Sequence, residues 1–421
     1  MLLQFSCENY MSFKEKTVLS LKPGAINELA HNIYNSSKNR ALKSAVIFGA
    51  NASGKSNIVK AFTAAIMMIR ESSTIQIDQP LNRIIPFKLD KQSYSKPSSF
   101  EFILVIENTK YIYGFSATSE RITEEYLYAY YSIKPTTVFE RTEDKYVFKA
   151  DKKNLCKLAE KNSSNKLFLT TATVWNYERT KAPYLWFSKQ VDTYEGSNWF
   201  QEFPEFAHDY GKKQKKFTTR LLEIADISIS DYHVKESDTP KERIEAMRAD
   251  PFLRTLLENT QDNASFKEYL LLTAHQVVED NTSNTYELNM AEESQGTQNL
   301  FFMSSHLKTA FETGKTLVVD EFDSGLHPLL LEEIVRMFHD SSINVGNAQL
   351  IFTTHAISLL DLSIFRRDQI FFTERNRSTA VSELFSLDEF PVRKSESIRN
   401  GYIYGRYGAI PVITKGRSPW V

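Results

Sequence analysis

Four short stretches of this chain hold side chains whose types and spacing can do chemistry. The first is Gly49-Ala50-Asn51-Ala52-Ser53-Gly54-Lys55-Ser56, followed by Asn57. It fits the pattern G-x-x-x-x-G-K-S, in which glycines let the backbone curl until successive N–H groups face phosphate oxygens. Lys55 would reach the outer phosphates, and the Ser56 hydroxyl is a candidate Mg²⁺ ligand. The second is Asp320-Glu321. Asp320 suits a Mg²⁺-contacting acid, and Glu321 is placed to take a proton from an attacking water. The third is His355, which can contact a terminal phosphate or hold that water or Glu321 in place. The fourth is Ser294-Gln295-Gly296. A Ser-x-Gly at a helix start offers an anion a hydroxyl, a free N–H and a dipole; read alone, it is a good N-cap.

These residues need elements to position them. Ser44–Phe48 is a short apolar run that reads as a buried strand ahead of the loop. Behind the loop, Ile58, Phe62, Ala65 and Ile69 share one helical face. Thr316–Val319 is an apolar strand ending in the acidic pair, and Gln349–Thr353 is another that delivers His355. After Gly296, residues Leu300, Met303, Leu307 and Phe311 fall on one face of a predicted helix, with Gly314 where a C-cap belongs. Glycine is scarce, 14 in 421 residues, so those in the loop and at the cap are placed where backbone geometry needs them.

Composition removes whole classes. Hydrophobic residues are 42% and charged residues 24% of the chain, which excludes a disordered polymer. The net charge of −1 gives no global pull toward nucleic acid, so any such binding needs a local patch. Two cysteines, Cys7 and Cys156, cannot build a disulfide framework or a four-cysteine zinc site. The first residues lack a signal-peptide pattern, and no apolar run reaches membrane-span length, so a cytoplasmic protein without membrane attachment is expected.

The order of the parts resembles an ABC-type ATPase: phosphate loop, Ser-x-Gly helix, Asp-Glu strand, Asp323 just after it, then a strand ending in His355. The Asn51-containing loop and the start Glu8-Asn9-Tyr10-Met11-Ser12-Phe13 resemble the SMC/RecF branch. The tail Tyr402-Ile-Tyr-Gly405-Arg406-Tyr407-Gly408-Ala409-Ile410-Pro411 is similar to the bacterial "AAA family ATPase" group with RloA-type and abortive-infection members, which are associated with phage defence and act with a separately encoded effector. The resemblance covers residues 1–70 and 288–413 specifically and 86–140 weakly. It implies ATP and Mg²⁺ as ligands and a head-to-tail homodimer, or a higher oligomer, that sandwiches ATP. Ser294 and Gly296 would then serve the partner's nucleotide, and Asp323 would bridge the dimer. The segment Ser-Gln-Gly-Thr lacks the second glycine of many ABC transporters. By position alone, Pro86-Phe87-Lys88 is the candidate Q-loop.

The expected fold is therefore α/β: a P-loop ATPase head with an antiparallel β-subdomain and an inserted, mainly helical lobe. Residues 1–150 would form the N-terminal half of the head. Within it, 98–149 alternate as a meander (Phe100, Phe102, Leu104, Ile106) with a turn at Asn108-Thr109. Residues 151–285 would form the lobe, without a sustained heptad and hence without a long coiled coil. Residues 286–421 would complete the head. The crowded aromatics Trp175, Tyr177, Tyr184, Trp186, Phe187, Tyr194, Trp199, Phe200, Phe203 and Phe206 read as lobe core or as a partner surface. Gly211–Arg220 holds five positive charges and reads as a solvated loop, or as a patch that could contact nucleic-acid phosphates.

Two functions fit: an ATPase subunit of an anti-phage, abortive-infection system controlling a separate effector, or a RecF/SMC-like DNA-binding ATPase of repair or chromosome maintenance. Glu321 argues against a scaffold that binds without turnover. Too little chain follows His355 for the added nuclease domain of OLD-type proteins.

Overall fold

The computed structural model describes residues 1–26, 28–35, 39–195, 211–239, 241–249, 267–279, 282–392 and 396–411. Contacts divide the chain into two units, Met1–Ser197 with Thr309–Val421, and Asn198–Lys308. The divisions fall at 197 and 308, where the sequence reading drew boundaries at 150 and 285.

The first unit is built on a six-stranded sheet in the order Val191–Tyr194, Thr316–Val319, Gln349–Thr353, Ser44–Gly49, Ile370–Arg375, Ser382–Ser386. The first five strands run parallel and the last is antiparallel. Ala45, Val46, Ile47 and Phe48 are all buried, as expected of a central parallel strand covered on both faces. A seven-stranded antiparallel sheet carries Leu2–Glu8, Thr17–Ser20 and the five-strand meander Ser98–Val147. The meander forms as its alternation predicts. Its first hairpin turns one residue earlier than the expected Asn108-Thr109: Thr109 already pairs with Ile106, and the loop is Glu107-Asn108, both at positive φ (47° and 66°), the pattern of a tight two-residue turn.

The helix Lys55–Glu71 lies between these sheets in one core. Phe62 packs on Phe5 and Phe102 with ring centroids 4.8 and 5.4 Å apart, while Ile58, Ala65 and Ile69 are buried with Ile47 and Ile351. A polar side chain also ties the layers. Gln349 accepts from the Leu2 amide at 2.7 Å and donates to the carbonyls of Leu2 and Leu42 at 3.0 and 2.9 Å. Residues 151–194 also belong to this unit. Trp186 and Phe187 enter its core, Phe187 against Phe102 and Tyr113, and Val191–Tyr194 adds the edge strand beside Thr316–Val319. Trp175, in contrast, is exposed beneath the Lys161 ammonium, 3.2 Å from its ring centroid. Trp199, Phe200, Phe203 and Phe206 lie outside the described residues.

The second unit is only in part the helical lobe that the sequence suggests. Helices Gly211–Ile224 and Lys241–Ala249 and most of Gln295–Thr313 are present. With them comes a three-stranded antiparallel sheet of Ile229–Asp238, Lys267–Glu279 and Thr282–Asn289. The apolar residues of 269–278 cannot distinguish helix from strand by spacing; the pairing partners on either side decide. The basic stretch Gly211–Arg220 is helix rather than loop. Lys215 pairs with Asp231 at 2.7 Å, and Arg220 with Glu223. Among the described residues, no helix is long and apolar enough to cross a membrane.

Candidate phosphate-binding site

The phosphate loop follows the buried strand Ser44–Gly49 and opens the helix at Lys55. Its curl needs unusual backbone at two positions, Ala52 at φ 60° and Gly54 at φ 120°. A Cβ on Gly54 would also stand 2.8 Å from Ser382 Oγ, and one on Gly49 would stand 2.4 Å from Thr373 Oγ1, so both glycines are fixed by close approach. Ser53 Oγ lies 2.6 Å from Thr373 Oγ1, and Asn57 donates to Ser12 Oγ at 2.7 Å. The loop is thereby pinned from the Ile370–Arg375 hairpin on one side and from the Asn9–Phe13 turn on the other.

Lys55 is buried, and its Nζ donates to the carbonyls of Gly49 and Ala50 at 2.8 and 3.0 Å. Burial lowers the pKa of its ammonium, and the nearby carboxylates of Asp320, Glu321 and Asp323 oppose that shift. An anion placed in the loop would give this buried cation a stronger partner than two neutral carbonyls.

The acidic pair is held as tightly. Thr353, at the end of its strand, donates from Oγ1 to Asp320 Oδ1 at 2.5 Å and accepts from the Glu321 amide at 2.8 Å. Glu321 takes φ 51°, rare for this residue type, which swings its exposed side chain off the strand. Asp323 is bound through Oδ2 to the His355 amide at 3.1 Å, while its Oδ1 is buried with no hydrogen-bond partner.

An open cleft of about 500 Å³ gathers Asn51, Ala52, Gly54, Lys55, Ser56, Asn57, Glu321, His355 and Arg375. The structure thus brings the loop, the candidate base and the histidine together on one surface. Asp320 and Asp323 do not line it: Asp320 is buried against Thr353, and Asp323 is bonded to the amide of the cleft residue His355. Pro86 and Lys88 line a different cleft and do not join this one. Ser294 caps the helix Gln295–Thr313 in the second unit, its Oγ accepting from the Thr297 amide at 3.2 Å. Gly296 occupies the first turn of that helix.

A metal fits the donors. Ser56 Oγ and Asp320 are hard oxygen groups of the kind Mg²⁺ takes. Among the described residues no cluster of three His, Cys, Asp or Glu could hold an ion, so Mg²⁺ would be completed by phosphate oxygens and water. When bound, it would neutralise charge developing on the phosphates.

Four contributors were not evident from the sequence: Ser12, Thr353, Thr373 and Arg375. A signal was there for the last two. Ile370-Phe-Phe-Thr-Glu-Arg375 is another apolar strand ending in polar residues, the same shape that drew attention to Gln349–His355.

Residues 44–361 match the model of a protein family described as an AAA domain, putative AbiEii toxin, type IV TA system. No curated protein matches the chain. Among solved structures, an SMC head domain from Thermotoga maritima aligns at 12% identity and a TM-score of 0.40, covering 91% of this chain and 98% of that one. An Smc head bound to the C-terminal domain of ScpA, from Pyrococcus furiosus, aligns at 11% and 0.39 over 96% of this chain and 98% of that one. These scores are too low to carry a fold assignment, which stands on the sheet order and the family match. The family model spans most of the chain, including the phosphate loop, the acidic pair and His355, and the chain belongs to this family of AAA-domain P-loop ATPases.

Proposed function

We propose that this protein binds ATP with Mg²⁺ at the phosphate loop and hydrolyses it, as the ATPase of an abortive-infection system that controls a separately encoded effector. One observation carries the enzymatic half: Lys55, Ser56, Glu321 and His355 line a single cleft. Lys55 would bind the β- and γ-phosphates, the loop amides would cradle them, and Ser56 and Asp320 would hold the metal. Glu321 would accept the proton of the attacking water, and His355 would position that water against the γ-phosphate. The defence half is supported by the family description, a putative AbiEii toxin of a type IV TA system. Two copies acting head to tail would let ATP control a change of shape, with Ser294 and Gly296 of one copy closing on the nucleotide of the other.

The test is turnover of Mg²⁺-ATP by the purified protein and two variants. Lys55→Ala should abolish tight ATP binding. Glu321→Gln should keep binding and slow hydrolysis by roughly 10²–10⁴-fold, the usual worth of a general base. A Glu321→Gln protein turning over at the wild-type rate would place the base elsewhere. Cells carrying the gene with its neighbours, challenged by phage, should lose protection with Lys55→Ala.

A further inference from the structure

Arg375 ends the strand that runs parallel to the phosphate-loop strand on the side away from Gln349–Thr353. The register pairs Thr373 with Gly49, so Arg375 stands two residues past the point where the loop strand gives way to the loop. Across its own hairpin Arg375 pairs with Ser382, whose side chain is packed against Gly54. Thr373 is bonded to Ser53, and the Ser382 amide donates to the Ser12 carbonyl at 2.8 Å. The base of this arginine is therefore fixed to the loop at two points and to the neighbouring Asn9–Phe13 turn at a third.

Its guanidinium is directed but not consumed. Nε donates to the Ala380 carbonyl at 3.0 Å within the hairpin turn, and among the described residues no carboxylate forms an ion pair with it. Arg375 lines the cleft that holds Lys55, Glu321 and His355, and also a second cleft of about 850 Å³ on the other side of the loop. The two clefts share Asn51, Ala52 and Arg375, and Arg375 enters the first of them from the side of the loop strand opposite to Glu321 and His355.

Given the nucleotide reading above, on which this rests, we propose that Arg375 is a catalytic residue that donates to the γ-phosphate in cis and stabilises charge developing there as the bond to the β-phosphate breaks. An arginine already anchored through Nε presents its two terminal nitrogens as a planar fork, the geometry that suits phosphate oxygens. Lys55 would meet the same phosphate from within the loop, where its Nζ lies against the Gly49 and Ala50 carbonyls, so Arg375 would add a second cation from the outer side.

The experiment compares Arg375→Ala and Arg375→Lys with wild type and with Lys55→Ala, reading equilibrium affinity for ATP and for ADP as well as kcat. Arg375→Ala should reduce kcat by about 10³-fold or more, the scale of a phosphoryl-transfer arginine. It should weaken ATP at least several-fold while leaving ADP, which lacks the γ-phosphate, within twofold of wild type. Arg375→Lys should recover only part of kcat, because a point charge cannot make the fork. Equal losses of ATP and ADP affinity, or an unchanged kcat, would overturn the assignment. If Lys55→Ala abolishes nucleotide binding in the same series, that failure belongs to Arg375 alone. If Lys55→Ala changes nothing, the nucleotide site itself is misassigned and both proposals fall.

Discussion

Thr353 Oγ1 stands 2.5 Å from Asp320 Oδ1, and the same oxygen accepts from the amide of Glu321, so one hydroxyl orients both members of the acidic pair. Thr353 is fully buried and belongs to the strand next to theirs. Its position is thus set by the parallel ladder rather than by a loop. A side chain that holds a metal-binding carboxylate is commonly worth a factor of 10–100 in metal affinity or activity.

Thr353→Val keeps the shape and removes the hydroxyl. ATP turnover should fall by roughly 10–100-fold, and the Mg²⁺ concentration needed for half-maximal rate should rise. Thr353→Ser, which restores the donor, should recover most of the loss. Steady-state rates across a Mg²⁺ titration check this; a Thr353→Val enzyme with wild-type metal dependence would mean Asp320 needs no such holding.

Glu125 is fully buried and joins the meander to the first turn of the helix Phe168–Val174. It accepts from Tyr113 Oη at 3.0 Å and from the amides of Phe168 and Leu169 at 2.6 and 2.9 Å, with Arg141 Nη1 3.7 Å away. Arg141 in turn donates to the carbonyls of Lys166, Glu143 and Ser164. Breaking one side of such a buried pair costs about 3–5 kcal/mol. Glu125→Leu should lower stability by that order in urea unfolding. The double variant Glu125→Leu with Arg141→Met should cost less than the sum of the single changes, because no buried charge is then left alone.

His339 supplies a pH signature. It is buried near three basic groups, His31, Lys43 and Arg336, and its ring nitrogen lies 2.8 Å from Ser44 Oγ. Burial first, then those positive neighbours, depress its pKa to about 3 from 6.5. The unfolded chain therefore binds a proton here that the folded chain refuses between those values. The contribution is full above pH 6.5 and is lost as pH falls toward 3, at up to about 1.4 kcal/mol per pH unit. Urea unfolding at pH 7 and pH 5 should show a larger loss for wild type than for His339→Gln, which carries no titrating ring. Equal losses would mean that His339 takes up its proton in the fold as readily as in the unfolded chain, so that burial does not depress its pKa.

The parts legible in the sequence are those set by local rules. The loop's glycines, the apolar strand before it and the face Ile58, Phe62, Ala65 and Ile69 depend on neighbours a few residues away, and all appear as expected. The first hairpin of the meander is equally local, though its turn falls at Glu107-Asn108, one residue before the expected Asn108-Thr109. What was illegible depends on partners far along the chain. Thr353 matters because a parallel register sets it beside Asp320, 33 residues earlier, and Arg375 because the ladder sets it beside a loop more than three hundred residues away. The strands of the second unit were hidden for a related reason. Tyr269–Val278 has no helical or alternating pattern strong enough to choose for it, and only its pairing with Ile229–Asp238 and Thr282–Asn289 makes it a strand.

The last prediction concerns a site shared between two copies. Ser294 caps its helix by accepting from the Thr297 amide, and that helix N-terminus presents the positive end of a dipole. If two heads close head to tail, each nucleotide would be met by Lys55 and Glu321 of one copy and by Ser294 of the other. Ser294→Arg would place a long side chain against the partner's γ-phosphate and block closure. It also removes the cap, which costs about 1 kcal/mol, so Ser294→Asp serves as a control that keeps the cap. Ser294→Arg and Lys55→Ala should each be inactive alone. Mixed together, random pairing makes half the dimers hybrid, and each hybrid holds one site with Lys55, Glu321 and Ser294 intact while the other carries both lesions. Up to about a quarter of wild-type turnover should return if the two sites act independently. A Ser294→Arg protein that hydrolyses ATP at the wild-type rate as a monomer would reduce Ser294 to a helix cap and remove the head-to-tail mechanism.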